Sequence, residues 1–381
     1  MINRDSSKVI RKLLKGYPAI VLTGPRQSGK TTLAKYIFPK KPYVSLENPD
    51  TREFAENDPR AFLGKYKSGA VFDEIQNCPC LFSYLQEIID ENNKPGRFIL
   101  TGSQQFKLHK QISQSLAGRV ALVQLLPFSY SELYKNEKPQ LDKVLFTGMY
   151  PPIYDRKLDP SIWYANYMQT YIERDVRKLI NVRDLSTFQR FVRLCAGRTG
   201  QLLNLSNLAI DTGITHNTAK AWISILEASY IIFLLQPHHI NFNKRIIKTP
   251  KLYFYDTGFA SWLLSIQNSK QISNHHARGA LFETMIISEM IKKRFNKALT
   301  SNLFFWRDRS GNEIDVIIEN SDILIPAEIK SGQTINADFF KGLKYWKKLT
   351  ERKDSYLIYG GEENYKREGI NIRSWRKNIN D

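Results

Sequence analysis

The sequence predicts an α/β protein made of three consecutive parts, and three local patterns support this prediction. The first is a glycine-rich loop at 24–31 between a buried strand and a helix, which is typical of a parallel sheet with helices on both faces. The second is a helix-turn-helix followed by two strands, at 205–255. The third is a helix followed by three strands, at 278–330. We expect the parts to cover residues 1–155, 156–277 and 278–381.

The composition is that of a folded and strongly basic chain. Of its 381 residues, 42% are hydrophobic and 12% aromatic, which excludes a disordered chain. The formal net charge is +19, and basic residues exceed acidic ones in each of the three parts. Such a charge favours a polyanionic partner, most commonly nucleic acid, and DNA is the partner we expect. The alternative is a lysine-rich composition that only keeps the protein in solution.

Neither a membrane segment nor a disulfide framework is expected. No apolar run approaches the ~20 residues needed to cross a bilayer. The polar start, Met1-Ile2-Asn3-Arg4-Asp5, has no signal-peptide core. The chain has 3 cysteines, too few for a disulfide scaffold, and reduced thiols are typical of the cytosol. We therefore expect a cytoplasmic protein with no membrane partner.

The glycine-rich loop has the pattern of a phosphate-binding loop (P-loop), in which two glycines enclose four residues and are followed by Lys and Thr. Its backbone N–H groups and the start of the following helix favour phosphate. Lys30 is expected to reach the β- and γ-phosphates, and the Thr31 hydroxyl to bind Mg²⁺. The predicted nucleotide-binding residues are Gly24, Pro25, Arg26, Gln27, Ser28, Gly29, Lys30, Thr31 and Thr32.

Two carboxylates follow the predicted strand at 69–72. Asp73 is expected to hold Mg²⁺ through water, and Glu74 to polarise the attacking water. Adjacent acids after a strand are unremarkable alone. In a chain that also has a phosphate-binding loop, they predict hydrolysis as well as binding.

Two further residues of the first part are candidates for sensing the nucleotide. Ser103 follows the strand at 97–100 and is expected to sense the γ-phosphate, with Thr101 as the alternative. Arg119 follows a turn and has three open roles. It could act on the nucleotide of its own chain, act on that of a neighbouring subunit in a homo-oligomer, or lie on the surface as an ordinary arginine.

Four stretches of the first part, GPRQSGKT, VFDEIQ, ILTGSQQ and SLAGRV, resemble in order and spacing the prokaryotic AAA-type (AAA+) ATPases that carry a C-terminal region of unknown function (DUF4143-like). The resemblance continues through residues 171–176 and 251–258, and so covers nearly the whole chain. It implies an N-terminal P-loop AAA-type ATPase domain that uses ATP and Mg²⁺. The later stretches mark the family but imply no chemistry.

The middle part begins with a predicted helix from Trp163 to Leu179. Its aromatic residues recur at helical spacing, and core packing explains them better than stacking on nucleic-acid bases. Arg174 and Asp175 either contact the nucleotide site or form an ion pair within the helix that has little effect.

The helix-turn-helix and the two strands after it predict a winged helix. Thr215 is expected to cap the second helix, which carries only one permanent cation. DNA binding is slightly favoured over a structural lid or a protein-contact module. The expected DNA contacts are His216, Asn217 and Lys220 in a groove, and Lys244, Arg245 and Lys248 on phosphate.

The third part resembles the core of the PD-(D/E)xK nucleases, and so predicts a restriction-endonuclease-like α/β domain. A hairpin places Asp315 beside Glu328 and Lys330. Asp315 and Glu328 are expected to hold Mg²⁺, and Lys330 to orient or deprotonate the attacking water. Glu283, on the preceding helix, would complete the acidic cluster. The alternative is a surface ion pair worth ~0–1 kcal/mol.

Together these patterns predict an ATP-binding and ATP-hydrolysing protein that binds DNA and cleaves it in a metal-dependent way. The main alternative is a regulatory ATPase switch whose C-terminal parts bind a protein partner or DNA without cleavage. A third hypothesis, an NTP-driven transcription regulator, depends on the winged helix alone.

Overall fold

The computed structural model describes residues 2–103, 108, 111–172, 185–239, 247–350 and 354–377. In these residues the strands form a five-stranded, a three-stranded and a six-stranded sheet. Every helix in this part of the chain is too short or too polar to traverse a lipid bilayer. Several residues singled out in the sequence lie outside the described residues, namely Gln104, Gln105, Glu173, Arg174, Asp175, Val176, Lys244 and Arg245.

The first sheet is parallel, as the sequence predicts. Its strands are β1 (Ala19–Thr23), β2 (Tyr43–Ser45), β3 (Val71–Asp73), β4 (Phe98–Thr101) and β5 (Val120–Gln124). Neighbouring strands are all parallel, in the order β2-β3-β4-β1-β5. The carboxyl ends of the strands therefore meet at one edge, and the residues that follow β1, β3 and β4 are neighbours there.

Helices and two apolar cores cover this sheet. The helices are α1 (Ser6–Leu13), α2 (Lys30–Ile37), α3 (Pro49–Asn57), α4 (Pro59–Gly64) and α5 (Leu81–Glu91). Because alternate residues of a strand point to opposite faces, Ile20 packs in one core and Val21 in the other. The continuous apolar run of β1 is thus buried on both sides, as expected for a central strand of a parallel sheet.

Short helices connect this sheet to the middle of the chain. They are α6 (Tyr130–Leu133), α7 (Leu141–Thr147), α8 (Pro151–Asp155) and α9 (Pro160–Tyr167). Trp163 and Tyr167 on α9 are buried, and their ring centroids lie 4.9 Å apart. Core packing therefore accounts for these aromatic residues, as the sequence predicts.

A motif with the order helix, strand, helix, helix, strand, strand follows. Its elements are α10 (Leu185–Ala196), β6 (Gln201–Leu202), α11 (Leu205–Thr212), α12 (His216–Ala228), β7 (Ile232–Leu235) and β8 (Lys251–Phe254). The strands are antiparallel, in the order β6-β8-β7. Gly213, with a φ of 78°, ends α11, and the Thr215 side chain caps α12, so the predicted turn forms.

The last sheet follows α13 (Thr257–Leu263), α14 (Ser269–Ile272) and the long α15 (Arg278–Phe295). Its strands are β9 (Leu303–Arg307), β10 (Glu313–Asn320), β11 (Ile323–Lys330), β12 (Tyr356–Tyr359), β13 (Tyr365–Arg367) and β14 (Ile370–Ser374). β9, β10 and β11 are antiparallel neighbours, and β12 lies parallel to β11. The crossover between β11 and β12 contains α16 (Lys341–Thr350).

Backbone hydrogen bonds join the middle and last sheets. The Phe305 N–H on β9 donates to the Gln236 carbonyl at 3.1 Å, and the His238 N–H donates to the Phe305 carbonyl at 2.7 Å. The segment after β7 thereby covers the edge of the last sheet. One apolar core, with members from Leu126 to Trp375, extends through both regions. The middle and last sheets are therefore packed around a common core.

Candidate functional site

The phosphate-binding loop follows β1 and depends on two glycines with positive φ. Gly24 has a φ of 144°, and a Cβ there would clash with the carbonyl oxygen of Leu125. Gly29 has a φ of 92° and lies at the start of α2. Only glycine adopts these conformations without strain. The sequence pattern therefore corresponds to a loop that curls tightly against the residue after β5.

Lys30 lies inside this loop. Its side chain is 6% exposed, and the ammonium group donates to the carbonyls of Gly24 at 3.0 Å and Pro25 at 2.7 Å. The positive charge is thus held beside the N-terminus of α2, where the helix dipole also favours an anion.

Asp73, at the end of β3, accepts hydrogen bonds from three hydroxyl groups. Thr31 Oγ1 lies 3.1 Å from both carboxylate oxygens, and the Tyr43 hydroxyl donates to Oδ2 at 2.6 Å. Thr101, predicted only as an alternative sensor, also donates to Asp73. Burial and the hydrogen bond to Asp73 raise the pKa of Tyr43, so its phenol stays a neutral donor.

The oxygens of Thr31 and Asp73 fit a magnesium ion. Mg²⁺ prefers oxygen ligands and keeps several of its waters, so few protein groups are needed to hold it in the presence of a phosphate. The two side chains are already adjacent at the edge of the sheet where the loop begins. The sequence analysis predicts no role for Tyr43, because no short-range pattern links β2 to a carboxylate on β3.

Glu74 lies next to Asp73 and adopts a left-handed conformation with a φ of 54°. Its carboxylate accepts hydrogen bonds from Ser103 Oγ at 2.9 Å and from the Gln76 amide. Burial works against ionisation, but the charge of Lys30 and the Gln76 amide outweigh it and lower the pKa of Glu74. Glu74 is therefore an ionised group whose orientation is fixed by two donors.

Loop residues 26–31, Asp73 and Glu74 line a cavity of about 380 Å³ together with groups from outside the first sheet. Arg4, before α1, is buried there and donates to the carbonyls of Ser28 at 3.2 Å and Leu126 at 2.6 Å. It also pairs with Glu132 at 3.2 Å. Arg156, after α8, also lines the cavity. Sequence patterns did not indicate either arginine, since both come from segments without a motif.

Arg119 does not reach the cavity of its own chain. It precedes β5, and Val120 pairs with Ala19 at the start of β1, whereas the loop follows Thr23 at the other end. Its guanidinium forms an ion pair with Asp90 at 2.6 Å. A role for Arg119 on its own nucleotide is therefore inconsistent with the sheet direction. The neighbouring-subunit role and the surface role stay open.

A second group of charged residues lies in the last sheet. The predicted hairpin forms, with Val316 opposite Ala327. Lys330 Nζ lies 3.0 Å from Asp315 Oδ2 and 2.8 Å from Glu328 Oε2. A bulge in β10 shifts its pairing with β9 between Ile314 and Ile317, at the position of Asp315.

Glu283 contacts two polar groups of the middle sheet. The ammonium of Lys251 on β8 lies 3.3 Å from Glu283 Oε1, and the Tyr253 hydroxyl donates to the same oxygen. Lys251 also pairs with Glu313, which in turn pairs with Arg307 at 3.1 Å. We call the seven residues around this point the acidic cluster. They are Lys251, Glu283, Arg307, Glu313, Asp315, Glu328 and Lys330.

Burial and neighbouring charges set the protonation of the acidic cluster. Burial raises the pKa of Glu283 to about 6, against the opposing charge of Lys251. Burial and the adjacent Asp315 raise the pKa of Glu328 well above its ordinary value. Burial disfavours the charged form of Lys251 and Lys330, but the carboxylates around them raise the pKa of both. Both lysines are therefore positive at neutral pH.

Ammonium groups pair with the carboxylates of the acidic cluster. Lys330 occupies the space between Asp315 and Glu328, and Lys251 faces Glu283 and Glu313. In the part of the chain that the structure describes, no group of three or more His, Cys, Asp or Glu side chains is placed to hold a metal ion. The Mg²⁺ site at Asp315 and Glu328 stays a prediction, and in this structure Lys330 pairs with both carboxylates.

The predicted DNA-contacting face of α12 is accessible. His216, Asn217 and Lys220 are exposed on it, and so is Lys248 before β8. On the preceding helix, α11, Ile210 is 75% exposed. The remaining predicted contacts, Lys244 and Arg245, lie outside the described residues.

Comparison with known families divides the chain into three successive regions. An AAA domain profile matches residues 16–134. Two profiles of domains of unknown function match residues 138–270 (DUF8612) and 278–376 (DUF4143). The first region is thus an AAA-type ATPase domain, in agreement with its loop and parallel sheet.

Among solved structures, the chain is similar to the Walker-type ATPase PABY2304 of Pyrococcus abyssi, with a TM-score of 0.47 and 16% identity over 69% of this chain and 96% of that one. AMPPCP-bound DnaA from Aquifex aeolicus aligns with a TM-score of 0.31 and 16% identity, over 58% of this chain and 85% of that one.

Sequence relatives extend over most of the chain. The uncharacterized protein MJ1544 of Methanocaldococcus jannaschii is 24% identical over 361 residues, which cover 85% of this chain and 77% of that protein. The uncharacterized protein Rv2008c of Mycobacterium tuberculosis is 30% identical over 337 residues, which cover 87% of this chain and 74% of that protein. At this identity and coverage, the chain belongs to the family of Rv2008c, with an AAA-type ATPase domain followed by two domains of unknown function.

Proposed function

We propose that the chain is an ATP-hydrolysing switch that binds DNA. The observation that carries the proposal is the gathering of catalytic groups at the carboxyl edge of the first sheet, next to the phosphate-binding loop. Lys30 would compensate the charge of the β- and γ-phosphates, and Thr31 and Asp73 would hold Mg²⁺. When bound, Mg²⁺ would neutralise charge that develops on the phosphate oxygens.

The remaining steps belong to Glu74 and Ser103. Glu74 is ionised and accepts hydrogen bonds, so it can accept one from water and orient that water for attack on the γ-phosphate. Ser103 donates to Glu74 at 2.9 Å. The same hydroxyl can donate to a phosphate oxygen instead, and that exchange would report the state of the nucleotide to Glu74.

DNA binding is proposed for the middle region. The topology around α11 and α12 and the sheet order β6-β8-β7 agree with the winged-helix interpretation. The exposed face of α12 and the basic excess of the chain favour a polyanion over a neutral partner. A protein partner is the alternative occupant of this face. Arg119 would act on the nucleotide of a neighbouring subunit if the chain assembles into a homo-oligomer.

Metal-dependent DNA cleavage by the last region is the second candidate function. The specific observation in its favour is that Asp315, Glu328 and Lys330 lie within hydrogen-bonding distance of one another. The order of α15, β9, β10, β11, α16 and β12 also agrees with the nuclease-like interpretation. Cleavage would require Lys330 to leave its contacts with Asp315 and Glu328, so that their oxygens could hold a metal ion.

Two substitutions at the nucleotide site test the main proposal. Lys30→Ala is expected to abolish ATP binding, because the phosphates lose their compensating charge. Glu74→Gln is expected to keep ATP binding and to lower the hydrolysis rate about 100-fold or more, because the water is no longer polarised. Binding is measured with a fluorescent ATP analogue, and hydrolysis by phosphate release.

Glu87→Gln is the matched control, since Glu87 is a partly exposed glutamate on α5 that pairs with Arg60. It should hydrolyse ATP at the wild-type rate. Wild-type turnover in Glu74→Gln would contradict the role of Glu74. Undiminished ATP binding in Lys30→Ala would contradict the assignment of the loop.

A further inference from the structure

A cavity of about 470 Å³ lies apart from the nucleotide site and the acidic cluster. It is bordered by the start of α1, the end of α15 with the turn that follows it, and the strands β9 and β10. Val9 of α1 and Ala298 after α15 pack in one apolar cluster, and this packing holds the two borders together. The volume is within the range of about 300–1,000 Å³ that is common for small-molecule sites.

Part of the cavity lining is apolar. Leu303 on β9 and Ile318 on β10 lie opposite each other in the sheet and are buried, as is Met290 on α15. Leu299, in the turn after α15, also lines the cavity but is 45% exposed. A ligand that covered Leu299 would be stabilised by the apolar surface that it removes from water.

The charged part of the lining is mainly positive. Asp5 is the one acid on it, and the cations are Lys8, Lys293, Arg294 and Lys297. The Arg294 Nε donates to the Thr300 carbonyl at 3.0 Å, which holds the guanidinium beside the turn. Lys8 and Lys297 are exposed, and the ion pairs found among the described residues include neither of them. The cavity thus combines apolar surface with an excess of positive charge.

The helix ends account for only some of these cations. Lys293 and Arg294 lie in the last turn of α15, where the helix dipole favours positive charge. Lys8 lies in the first turn of α1, where the dipole favours negative charge instead. An anion in the cavity would offset this unfavourable placement. A bound anion therefore explains Lys8, whereas stabilisation of the helix does not.

We propose that this cavity binds a small amphipathic anion, in which a carboxylate or phosphate group is attached to an apolar body. The anionic group pairs with Lys8 and Lys297, and the apolar body covers Leu299. A DNA backbone would pair with the cations but leave the apolar lining uncovered, and a neutral apolar ligand would leave the cations unpaired. The proposal goes beyond the proposed function and does not depend on it, since the residues that line this cavity differ from those that line the nucleotide site.

The test measures the binding of matched probes to the full chain by isothermal titration calorimetry, without nucleotide or DNA. Decanoate has both the anionic group and the apolar body, decanol has only the apolar body, and acetate has only the anionic group. Decanoate is expected to bind about tenfold or more tightly than either of the other two, because only decanoate uses both kinds of lining. Decyl phosphate, measured in the same way, shows which of the two head groups the cavity prefers.

Paired substitutions assign the binding to this cavity. Lys8→Met combined with Lys297→Met removes two exposed cations and is expected to weaken decanoate binding about tenfold or more, because charged hydrogen bonds are lost. Lys12→Met combined with Lys15→Met is the matched control. It removes the same charge at exposed positions that do not line the cavity, and it should bind decanoate like the wild-type chain. Leu299→Asn tests the apolar lining separately and should also weaken decanoate binding.

Two results would overturn the proposal. One is decanoate binding that is no tighter than that of decanol or acetate. The other is decanoate binding that the Lys8 and Lys297 substitutions leave unchanged. If these substitutions weaken the binding of labelled duplex DNA while decanoate does not bind, the cations belong to a DNA interface and the proposal is wrong. Failure of the ATPase proposal would leave the decanoate results unchanged, since no nucleotide is present.

Discussion

Single residues at the nucleotide site are held by partners that no motif contains. Asp73 accepts a hydrogen bond from the Tyr43 hydroxyl on β2, in addition to the one from Thr31 in the loop. Because a carboxylate that holds a metal is oriented by its own hydrogen-bond partners, such a partner affects metal affinity without touching the metal. Tyr43 is therefore a positioning residue for Asp73.

Replacing Tyr43 tests this role. Tyr43→Phe removes one hydroxyl donor from Asp73 and leaves the aromatic ring in place. The Mg²⁺ concentration for half-maximal ATP hydrolysis is expected to rise about tenfold, since loss of a partner behind a metal ligand typically weakens metal binding 10–100-fold. Hydrolysis is measured against Mg²⁺ at saturating ATP. Restoration of the wild-type maximal rate at high Mg²⁺ would separate positioning from general damage to the site.

Tyr36→Phe is the matched control, since Tyr36 is a 45% exposed tyrosine on α2. Its Mg²⁺ dependence should equal that of the wild-type chain. The same Mg²⁺ dependence in Tyr43→Phe would show that the hydrogen bond to Asp73 has no role in metal binding.

Among the elements, α12 presents the exposed polar face that the DNA-binding proposal uses. Lys220 is its permanent cation there, and His216 and Asn217 lie in the first turn. Replacing all three by Ala is expected to weaken DNA binding about tenfold or more at low salt. The slope of log affinity against log salt should fall by about one, because the variant loses one permanent cation at the DNA. Fluorescence anisotropy with labelled duplex DNA at several salt concentrations measures both quantities.

Lys270→Ala removes an exposed cation of α14, away from α12. It should leave the DNA affinity and the salt slope near those of the wild-type chain. If both variants lower the affinity equally, α12 has no special role and only net charge matters. If neither does, the face of α12 belongs to another partner.

Element-level features were predictable from sequence where the determining contacts are local. The glycines of the loop, the Thr215 cap and the hairpin that places Asp315 beside Lys330 depend on neighbouring residues or on one turn. The contact between Lys251 and Glu283 could not be found in this way, because it depends on how β8 packs against α15. A lysine within an apolar strand pattern was nevertheless a signal, since such a position is buried and needs a counter-charge.

Sheet direction and backbone conformation account for two other differences. Arg119 follows a turn that seemed free to face the nucleotide, but parallel pairing places the start of β5 at the end of the sheet opposite the loop. The apolar run at 230–235 indicates a strand, but β7 begins only at Ile232. Tyr230 has a φ of 56° and belongs to the turn before β7, a conformation that a strand does not allow.

Across the whole molecule, the three regions are joined at buried contacts. Arg4 binds the carbonyls of Ser28 and Leu126, and so connects the N-terminal segment to the loop and to the residues after β5. The segment after β7 pairs with β9 in the last sheet. The middle region therefore touches both the nucleotide site and the acidic cluster.

The turn at Tyr230 provides the link on the nucleotide side. The Tyr230 hydroxyl donates to Thr23 Oγ1 at 2.8 Å in a buried position, and Thr23 is the last residue before the loop. Behind it, the ring of Tyr255 lies 6.2 Å from the ring of Tyr230, and Tyr255 directly follows β8. A displacement of the loop can thus reach the strand that carries Lys251.

Such a link would couple the binding of ATP to the binding of DNA, and the coupling would act in both directions. If ATP changes the affinity for DNA by some factor, thermodynamics requires DNA to change the affinity for ATP by the same factor. Both factors, measured by titrating each ligand with and without the other, are expected to approach one in Tyr230→Phe. Thr284→Val, which removes a buried hydroxyl pair with Thr199 away from the loop, should leave them unchanged. Equal factors in Tyr230→Phe and the wild-type chain would mean that the two ligands communicate by another route. Loss of both factors in Tyr230→Phe would mean that the binding of nucleotide and the binding of DNA are coupled through the Tyr230 hydroxyl.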